Sequence, residues 1–344
     1  MPLPEVFLYD ASDSVSEASA DLAATLSELG TEAPFVIASH HGAVYAHAIK
    51  TASDPRTPGP RADQDWAMDT GSAAKRAGAD SIVAIGGGRV LDLGKLVAAR
   101  AGLKVIVVPT QLSHDGICSP VAVVLDDDGR SQSLGAVEPS AVYLPIPTLM
   151  NAPLTSFAAG LGDLIANPLA LRDWRLAAEH GLEEIDQPAW DLSAEAYSII
   201  ERYLDEDLAS CASDPEFVKL LAQALILSGE SMIASGDSRP ASGAEHEISH
   251  AIDHLYGGRA LHGEQVAFGC IFSVALYGDD PAGLMSRLRR LGLPAHPTDL
   301  GLDAGATEAV LLEAPETRPG RFTVLEDADL DPRSARALIA RIWS

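Results

Sequence analysis

The first 150 residues alternate short apolar runs with stretches of helical periodicity, and this alternation constrains the fold more than any other feature. The helical stretches cover residues 16–30 and 66–78 and a segment through Lys95 to Ala101. Strands separated by helices are typical of a parallel sheet covered by helices. The pattern predicts an α/β domain of the nucleotide-binding type. The predicted strands are residues 6–10, 34–39, 81–88 and 104–110.

The second half of the chain shows long apolar-periodic segments and almost no strand-like alternation, which predicts an all-α domain. A proline-rich stretch at residues 143–153 marks the boundary, because proline ends regular elements and stiffens linkers. We therefore divide the chain into residues 1–150 and 151–344. The predicted helices of the second part are residues 156–179, 193–212, 216–235, 245–255, 265–277, 282–291 and 332–343.

The charge of the chain excludes two classes of partner. Its 24 Lys and Arg residues against 49 Asp and Glu residues give a net charge of −25, which repels nucleic acid and anionic lipid surfaces. The N-terminus lacks a basic segment followed by an apolar run, and no uninterrupted apolar stretch approaches about 18 residues. We expect a cytoplasmic protein.

The three cysteines are widely spaced and odd in number, so they offer neither a disulfide framework nor a paired-cysteine metal knuckle. We expect Cys118, Cys211 and Cys270 to be small buried hydrophobic residues.

Three glycines, Gly86, Gly87 and Gly88, separate an apolar strand from the following helix. Glycine allows the backbone to approach a phosphate, and the helix N-terminus favours negative charge, so this turn suits a pyrophosphate. A tight turn without a ligand would have the same sequence. Asp92 and Lys95 are three residues apart, so they share one face of the helix and could contact that turn or pair with each other.

A polar run at residues 109–116 follows the next predicted strand. Ligands bind at the carboxyl ends of strands in open α/β sheets, so His114 and Asp115 could contact substrate or cofactor. The Asp115–Gly116 pair is alternatively a simple turn.

Histidines cluster after Ser242, which with Glu245 forms a capping box that predicts a helix start at about Gly243. His246, His250 and His254 are then one turn apart on one face. Two histidines at this spacing can hold a metal ion, with His262 and the carboxylate of Asp163 as further candidate ligands.

Residues 246–250 also match the HExxH pattern of zinc peptidases, in which Glu247 would activate water. Glu264 could then serve as a third ligand, although it follows His262 closely. The nucleotide-type first half and the lack of a secretion signal argue against this alternative.

Six blocks in order resemble the superfamily of iron-containing alcohol dehydrogenases and dehydroquinate synthases, most closely its glycerol-1-phosphate dehydrogenase branch. The resemblance implies an α/β Rossmann-like parallel-sheet domain at the N-terminus plus an all-α C-terminal domain, the dehydroquinate synthase-like fold. It also implies a divalent metal, usually zinc, in the cleft between them. The blocks are residues 80–95, 108–120, 159–177, 238–253, 261–269 and 317–326.

This branch reduces dihydroxyacetone phosphate to sn-glycerol 1-phosphate with NADH or NADPH, a reaction of phospholipid metabolism. By resemblance, the metal ligands are Asp163, His246 and His262, and His250 lies beside the metal as a candidate proton donor. Asp115 faces the substrate or the nicotinamide ribose. The cofactor-binding residues implied are Gly86, Gly87, Gly88, Asp92, Thr110 and Ser113.

Two alternative functions are compatible with the overall resemblance. A sugar-phosphate cyclase of the dehydroquinate synthase type normally has glutamate at the position of Asp163, and a lysine-containing GGK where residues 119–121 read SPV. Both differences argue against a cyclase. A catalytically silent binding protein would not need the complete ligand set.

The substrate phosphate requires cationic donors, and Arg239, Arg318 and Arg321 are the candidates, because guanidinium groups bind phosphate through two hydrogen bonds. Ordinary surface ion pairs are the alternative; a neutral polyol would then be the better substrate.

Ser39 and His40 stand where an acidic residue would exclude a 2′-phosphate, so NADPH should be tolerated. The family default is a homo-oligomer.

Overall fold

A computed structural model of the protein describes residues 3–11, 14–125 and 131–343. Five parallel strands form one sheet in the spatial order β1-β7-β4-β3-β2, and β5 and β6 form a separate antiparallel hairpin. The strands are β1 (Glu5–Tyr9), β2 (Pro34–Ala38), β3 (Ser81–Gly86), β4 (Lys104–Pro109), β5 (Val121–Leu125), β6 (Ser131–Gly135) and β7 (Ala141–Pro145).

Helices cover the sheet and then make up the second half of the chain. The helices that accompany the sheet are α1 (Val15–Glu28), α2 (Gln64–Arg76), α3 (Gly88–Ala101) and α4 (Ile146–Met150). Those of the second half are α5 (Leu154–Ile165), α6 (Asn167–Glu179), α7 (Gln187–Ile200), α8 (Leu208–Ala212), α9 (Pro215–Ser235), α10 (Ala244–Tyr256), α11 (His262–Leu276), α12 (Ala282–Arg290), α13 (Ala304–Glu313), α14 (Val324–Ala328) and α15 (Pro332–Ile342).

Strands β2 and β3 are buried along their whole length, which is why they read as continuous apolar runs. In β2, Val36 packs into one core while Phe35 and Ile37 pack into the other, as the two-residue repeat of a strand requires. The core containing Phe35 continues through the helices of the second half as far as Leu338. The sheet and the helical part therefore share one apolar core at the cleft.

The predicted strands are confirmed, with ends that shift by at most a few residues, and so is the parallel sheet. Two predicted helices are wrong in extent. Residues 156–179 form two helices that meet at Ala166, because Pro168 in the first turn of α6 lacks an N–H for a continuous ladder. Residues 193–212 contain the end of α7, a 3₁₀ turn and α8; α7 begins earlier, because Asp186 caps it by accepting from the Ala189 N–H. Among the described residues, the strands and α-helices missed are the β5–β6 hairpin, β7, α4, α13 and α14.

Two other expectations concern burial. Cys118 and Cys270 are buried as expected, but Cys211 is only half-buried, so that prediction is wrong for Cys211. Two helical segments, Leu154–Glu179 and Pro215–Ser235, are long and apolar enough to cross a membrane, yet 78% and 72% of their most apolar windows are buried inside the protein. Their apolar faces contribute to the shared core.

Candidate active site

Asp163, His246 and His262 come together in the cleft between the sheet and the helical part. The Nε2 atoms of both histidines lie 3.7 Å from Oδ1 of Asp163, and one ligand atom from each residue lies within 4.8 Å of the other two. Close packing of α5 against α11 makes this possible, because a side chain at Gly263 would meet the Ala159 carbonyl oxygen at 1.9 Å. We call these three residues the ligand trio.

The ligand trio fits a divalent cation. Oδ1 of Asp163 is buried and has no hydrogen-bond partner among the described residues, while Oδ2 accepts from the Asp115 N–H at 2.8 Å. Burial alone would raise the pKa of Asp163, but the adjacent imidazoles of His246 and His262 lower it below its usual value. An ionised oxygen facing two imidazole nitrogens is the donor set that zinc and similar ions prefer.

Glu245 has a role that the sequence did not predict. Its Oε1 lies 3.0 Å from Nδ1 of His246 and accepts from the Gly243 N–H at 2.6 Å. A carboxylate next to Nδ1 keeps the ring proton on that nitrogen, so Nε2 is free to bind a metal ion. Burial alone would lower the pKa of His246, but the carboxylates of Asp163 and Glu245 raise it to about 9.

The predicted capping box of Ser242 and Glu245 is therefore wrong, although the helix does begin next to Gly243. The Ser242 hydroxyl accepts from Arg318 at 2.8 Å instead of capping α10. Asp173 takes over that function by accepting from the Ala244 N–H at 2.8 Å. The same carboxylate accepts from the Tyr277 hydroxyl at 2.5 Å, so a buried network supports the first turn of α10.

Both acidic residues of the peptidase alternative have other partners. Glu247 accepts from the Thr323 hydroxyl at 3.0 Å, and burial together with Glu326 raises its pKa to about 9. Glu264 accepts from the Leu261 N–H at 2.7 Å and so caps α11. These contacts give neither residue the role that the HExxH pattern requires.

His250 and Asp115 border the same cavity as His246 and His262 of the ligand trio, a space of about 200 Å³. The His250 ring stacks on the His262 ring at 6.4 Å between centroids, and burial and Arg318 lower the pKa of His250 well below its usual value. Asp115 accepts from the Ser228 hydroxyl at 3.0 Å. Burial and the adjacent Asp163 raise the pKa of Asp115 to about 7.

A second cavity, about 440 Å³, opens beside the glycine turn. Gly87 caps α3 and Gly88 is its first residue, so the N-terminus of α3 faces this space. Gly87, Gly88, Asp92 and Ser113 line it. Gly86 packs closely on Val90, and the Thr110 N–H donates to the Gly86 carbonyl at 2.9 Å, which holds the two strand ends together.

Asp92 and Lys95 form the ion pair that their spacing allows, at 2.9 Å. The ammonium of Lys95 is fully buried and donates to the carbonyls of Gly116 and Ser119 at 2.8 and 3.1 Å. Asp92 accepts from the Val123 N–H at 3.1 Å. The pair therefore holds the loop after β4 and the β5–β6 hairpin against α3.

Two of the three candidate arginines have no acidic partner among the described residues. Arg318 and Arg321 each donate to the Ser238 hydroxyl at 3.0 Å, and neither has a carboxylate within 4.0 Å in the described parts of the chain. Burial lowers the pKa of Arg318 to about 10, and the positive charge of Arg321 contributes to this decrease. Arg239 pairs with Glu183 at 2.8 Å, as the ion-pair alternative predicts. Arg318 borders the cavity of the ligand trio and Arg321 an adjoining one of about 790 Å³.

Several known proteins are similar to this chain in sequence. The profile of a family described as iron-containing alcohol dehydrogenase matches residues 16–153. The NAD(P)+ glycerol-1-phosphate dehydrogenase of Cenarchaeum symbiosum is 37% identical over 256 residues, which cover 74% of this chain and 71% of that protein. The corresponding protein of Hyperthermus butylicus is 38% identical over 257 residues, 75% of this chain and 72% of that protein.

Solved structures with low sequence identity share the fold. A probable glycerol dehydrogenase from Sinorhizobium meliloti 1021 is 22% identical with a TM-score of 0.80, over 99% of this chain and 96% of that one. Sulfoacetaldehyde reductase from Bifidobacterium kashiwanohense, solved in complex with NAD+, is 12% identical with a TM-score of 0.72, over 100% and 99%. The predicted fold class is confirmed. The chain belongs to the glycerol-1-phosphate dehydrogenases of the iron-containing alcohol dehydrogenase family.

Proposed function

We propose that the protein is a metal-dependent NAD(P)H oxidoreductase that interconverts dihydroxyacetone phosphate and sn-glycerol 1-phosphate. One observation carries this proposal: Arg318, which lacks an acidic partner among the described residues, borders the same cavity as His246 and His262 of the ligand trio. A site for a carbonyl oxygen and a site for a phosphate therefore border one cavity of about 200 Å³, which suits a small molecule. The names of the relatives point to the same substrate.

The reaction needs a metal ion and a dinucleotide, and the chain has candidate residues to bind each of them. Asp163, His246 and His262 would hold a divalent ion, zinc or another, and the glycine turn with Asp92, Thr110 and Ser113 would hold the dinucleotide. When bound, the ion supplies Lewis-acid polarisation of a carbonyl oxygen and the reduced nicotinamide supplies the hydride.

His250 is the residue best placed to move the proton. Its neutral imidazole offers one N–H and one lone pair beside the ligand trio. In alcohol oxidation the lone pair accepts the hydroxyl proton, and in ketone reduction the same nitrogen returns it. Asp115, which borders the same cavity, orients a substrate hydroxyl or the nicotinamide ribose.

Arg318 and Arg321 bind and orient the phosphate. Their shared partner is the Ser238 hydroxyl, so both guanidinium groups are aligned but not neutralised. Two half-buried cations that repel each other are stabilised by a dianion between or beside them. In a chain with a net charge of −25, such local cations are needed to attract an anionic substrate.

Cofactor choice follows from the end of β2. The Ser39 hydroxyl accepts from the Gly42 N–H at 2.9 Å, and the exposed His40 follows it. Neither residue brings a negative charge against a 2′-phosphate, so the protein uses both NADH and NADPH. We further propose a cytoplasmic homo-oligomer, with a domain boundary near residue 150.

The decisive experiment measures NADH or NADPH oxidation by the purified, zinc-loaded protein with dihydroxyacetone phosphate and with dihydroxyacetone. We expect turnover of the phosphorylated ketone, and in reverse the oxidation of sn-glycerol 1-phosphate but not of its enantiomer. Turnover of the unphosphorylated ketone alone would remove the phosphate from the proposal. If neither cofactor is oxidised, a sugar-phosphate cyclase or a silent binding protein becomes the better description.

A further inference from the structure

His114 stands between the two cavities of the cleft. Its ring occupies the space that side chains at Gly88 and Gly116 would need: a Cβ at Gly88 would lie 2.1 Å from Nε2, and one at Gly116 would lie 2.2 Å from Cε1. The ring borders both the cavity of the glycine turn and that of the ligand trio. It also meets the His262 ring edge to face, with 6.0 Å between centroids.

The hydrogen bonds of His114 determine where its proton lies. Nδ1 accepts from the Gly116 N–H at 2.9 Å, so in the neutral ring Nε2 carries the hydrogen. Nε2 is the atom that faces Gly88, the first residue of α3. The ring therefore directs an N–H donor to the place where the helix N-terminus favours anionic oxygen.

We propose that His114 is a cofactor-binding residue whose Nε2–H donates to an oxygen of the nicotinamide half of the dinucleotide, either the ribose or the adjoining phosphate. That half must pass from the glycine turn to the ligand trio, and His114 lines the space on both sides of this passage. The identity of the ligand rests on the proposed function. Gly88 and Gly116 are then needed because any larger residue would displace the ring.

The test separates the Nε2–H from the structural hydrogen bond. His114→Asn keeps an acceptor for the Gly116 N–H but removes the distal donor, and His114→Gln restores an N–H near the position of Nε2. Through its bond with the Gly116 N–H, His114 caps the 3₁₀ turn at residues 115–117. His296→Asn is the matched control, because the exposed His296 caps another 3₁₀ turn by accepting from the Thr298 N–H at 3.2 Å. Binding of NADH and of ADP is titrated by calorimetry on the zinc-loaded full chain, with zinc content and thermal unfolding measured in parallel.

We expect His114→Asn to weaken NADH binding about tenfold, as loss of one hydrogen bond to a polar or charged group predicts, with zinc content unchanged. His114→Gln should bind NADH more tightly than His114→Asn, and His296→Asn should match the wild type. Weaker ADP binding in the Asn variant would identify the phosphate as the acceptor, and unchanged ADP binding would identify the ribose.

Two results would overturn the inference. One is NADH affinity in His114→Asn equal to that of the wild type. The other is a parallel loss of zinc, which would mean that the ring acts on His262 and not on the cofactor. A wild-type protein that binds neither NADH nor NADPH would instead overturn the proposed function, and with it the inference.

Discussion

Oε1 of Glu245 lies 3.0 Å from Nδ1 of its neighbour His246 and aligns that imidazole with the ligand trio. Glu245 is fully buried, and its Oε1 also accepts from the Gly243 N–H. A carboxylate behind a metal-binding histidine fixes the tautomer and raises the basicity of the ring. We therefore infer that Glu245 positions His246 for an ion held by the ligand trio without being a ligand itself.

We expect Glu245→Gln to lower zinc affinity about ten- to a hundredfold, the usual effect of removing such a partner. The glutamine can still accept from the Gly243 N–H, so α10 should keep its first turn. Competition with a zinc chelator measures the affinity, and circular dichroism checks the fold. Wild-type zinc affinity in this variant would show that Glu245 serves the helix start alone.

The ligand trio itself is tested by His262→Ala, with His254→Ala as its control. His262→Ala should abolish both stoichiometric zinc binding and activity, because two ligands do not hold the ion tightly. His254 lies on α10 but pairs with Glu313 at 2.7 Å, outside the ligand trio, so its removal should leave zinc content intact. Zinc retained at full stoichiometry in His262→Ala would contradict the ligand assignment.

Glu247→Gln separates the dehydrogenase from the peptidase alternative. The Glu247 carboxyl contacts Thr323 at the start of α14, and a glutamine amide can make the same contact. We expect zinc content and ketone reduction to stay close to wild type, measured by metal analysis and by nicotinamide absorbance. Complete loss of activity with zinc retained would instead support a water-activating glutamate.

Arg318→Ala should discriminate between phosphorylated and unphosphorylated substrates. Losing charge-assisted hydrogen bonds to a phosphate should lower kcat/KM for dihydroxyacetone phosphate by about ten- to a hundredfold. The value for dihydroxyacetone and the KM for NADH should change little. Arg172→Ala is a suitable control, because Arg172 pairs with Asp279 on the surface. Equal losses for both ketones would contradict a phosphate-binding role.

Asp80 supports a prediction about stability and pH. It accepts from the N–H groups of Glu32 and Ala33 at 2.7 and 2.9 Å, joining the turn after α1 to β3. Burial alone would raise the pKa of Asp80, but these hydrogen bonds and the one from Ser81 lower it below its usual value. Because Asp80 is partly exposed, we expect Asp80→Ala to reduce the free energy of unfolding at pH 7 by about 1 kcal/mol.

The pH dependence of that difference has a definite sign. A carboxyl with a lower pKa in the folded state stabilises the protein above its unfolded pKa, about 3.9, and the stabilisation is lost as the pH falls through the folded value. The gap between wild type and Asp80→Ala in urea unfolding should therefore shrink as the solution becomes more acidic than that. A gap that widens in acid would contradict the assignment.

Strands β2 and β3 could be predicted from the sequence because both of their faces are buried. Val36 and Val83 enter one core while Phe35 and Ile82 enter the other, so the apolar runs are unbroken. The break between α5 and α6 was also present in the sequence, in the proline at position 168. Periodicity alone overlooked it, because the apolar repeat continues across the break.

The surroundings of the ligand trio were harder to predict because they depend on distant contacts. Ser242 and Glu245 form a sound local capping pattern, yet the Ser242 hydroxyl binds Arg318, 76 residues away in the sequence. Asp173 caps α10 from a distance of 71 residues. These buried tertiary contacts override the local capping preference. No rule of sequence spacing connects residues so far apart. The ligand assignments came from the family resemblance and the histidine spacing together.

The hydrogen bond from the Asp115 N–H to Oδ2 of Asp163 connects the loop after β4 with α5. The donor lies beside the sheet, and the acceptor is a candidate metal ligand. Any motion that separates this loop from α5 should therefore free the carboxylate and speed dissociation of the ion. The rate of ion dissociation would then measure how tightly the loop and α5 are held together, even in experiments without substrate.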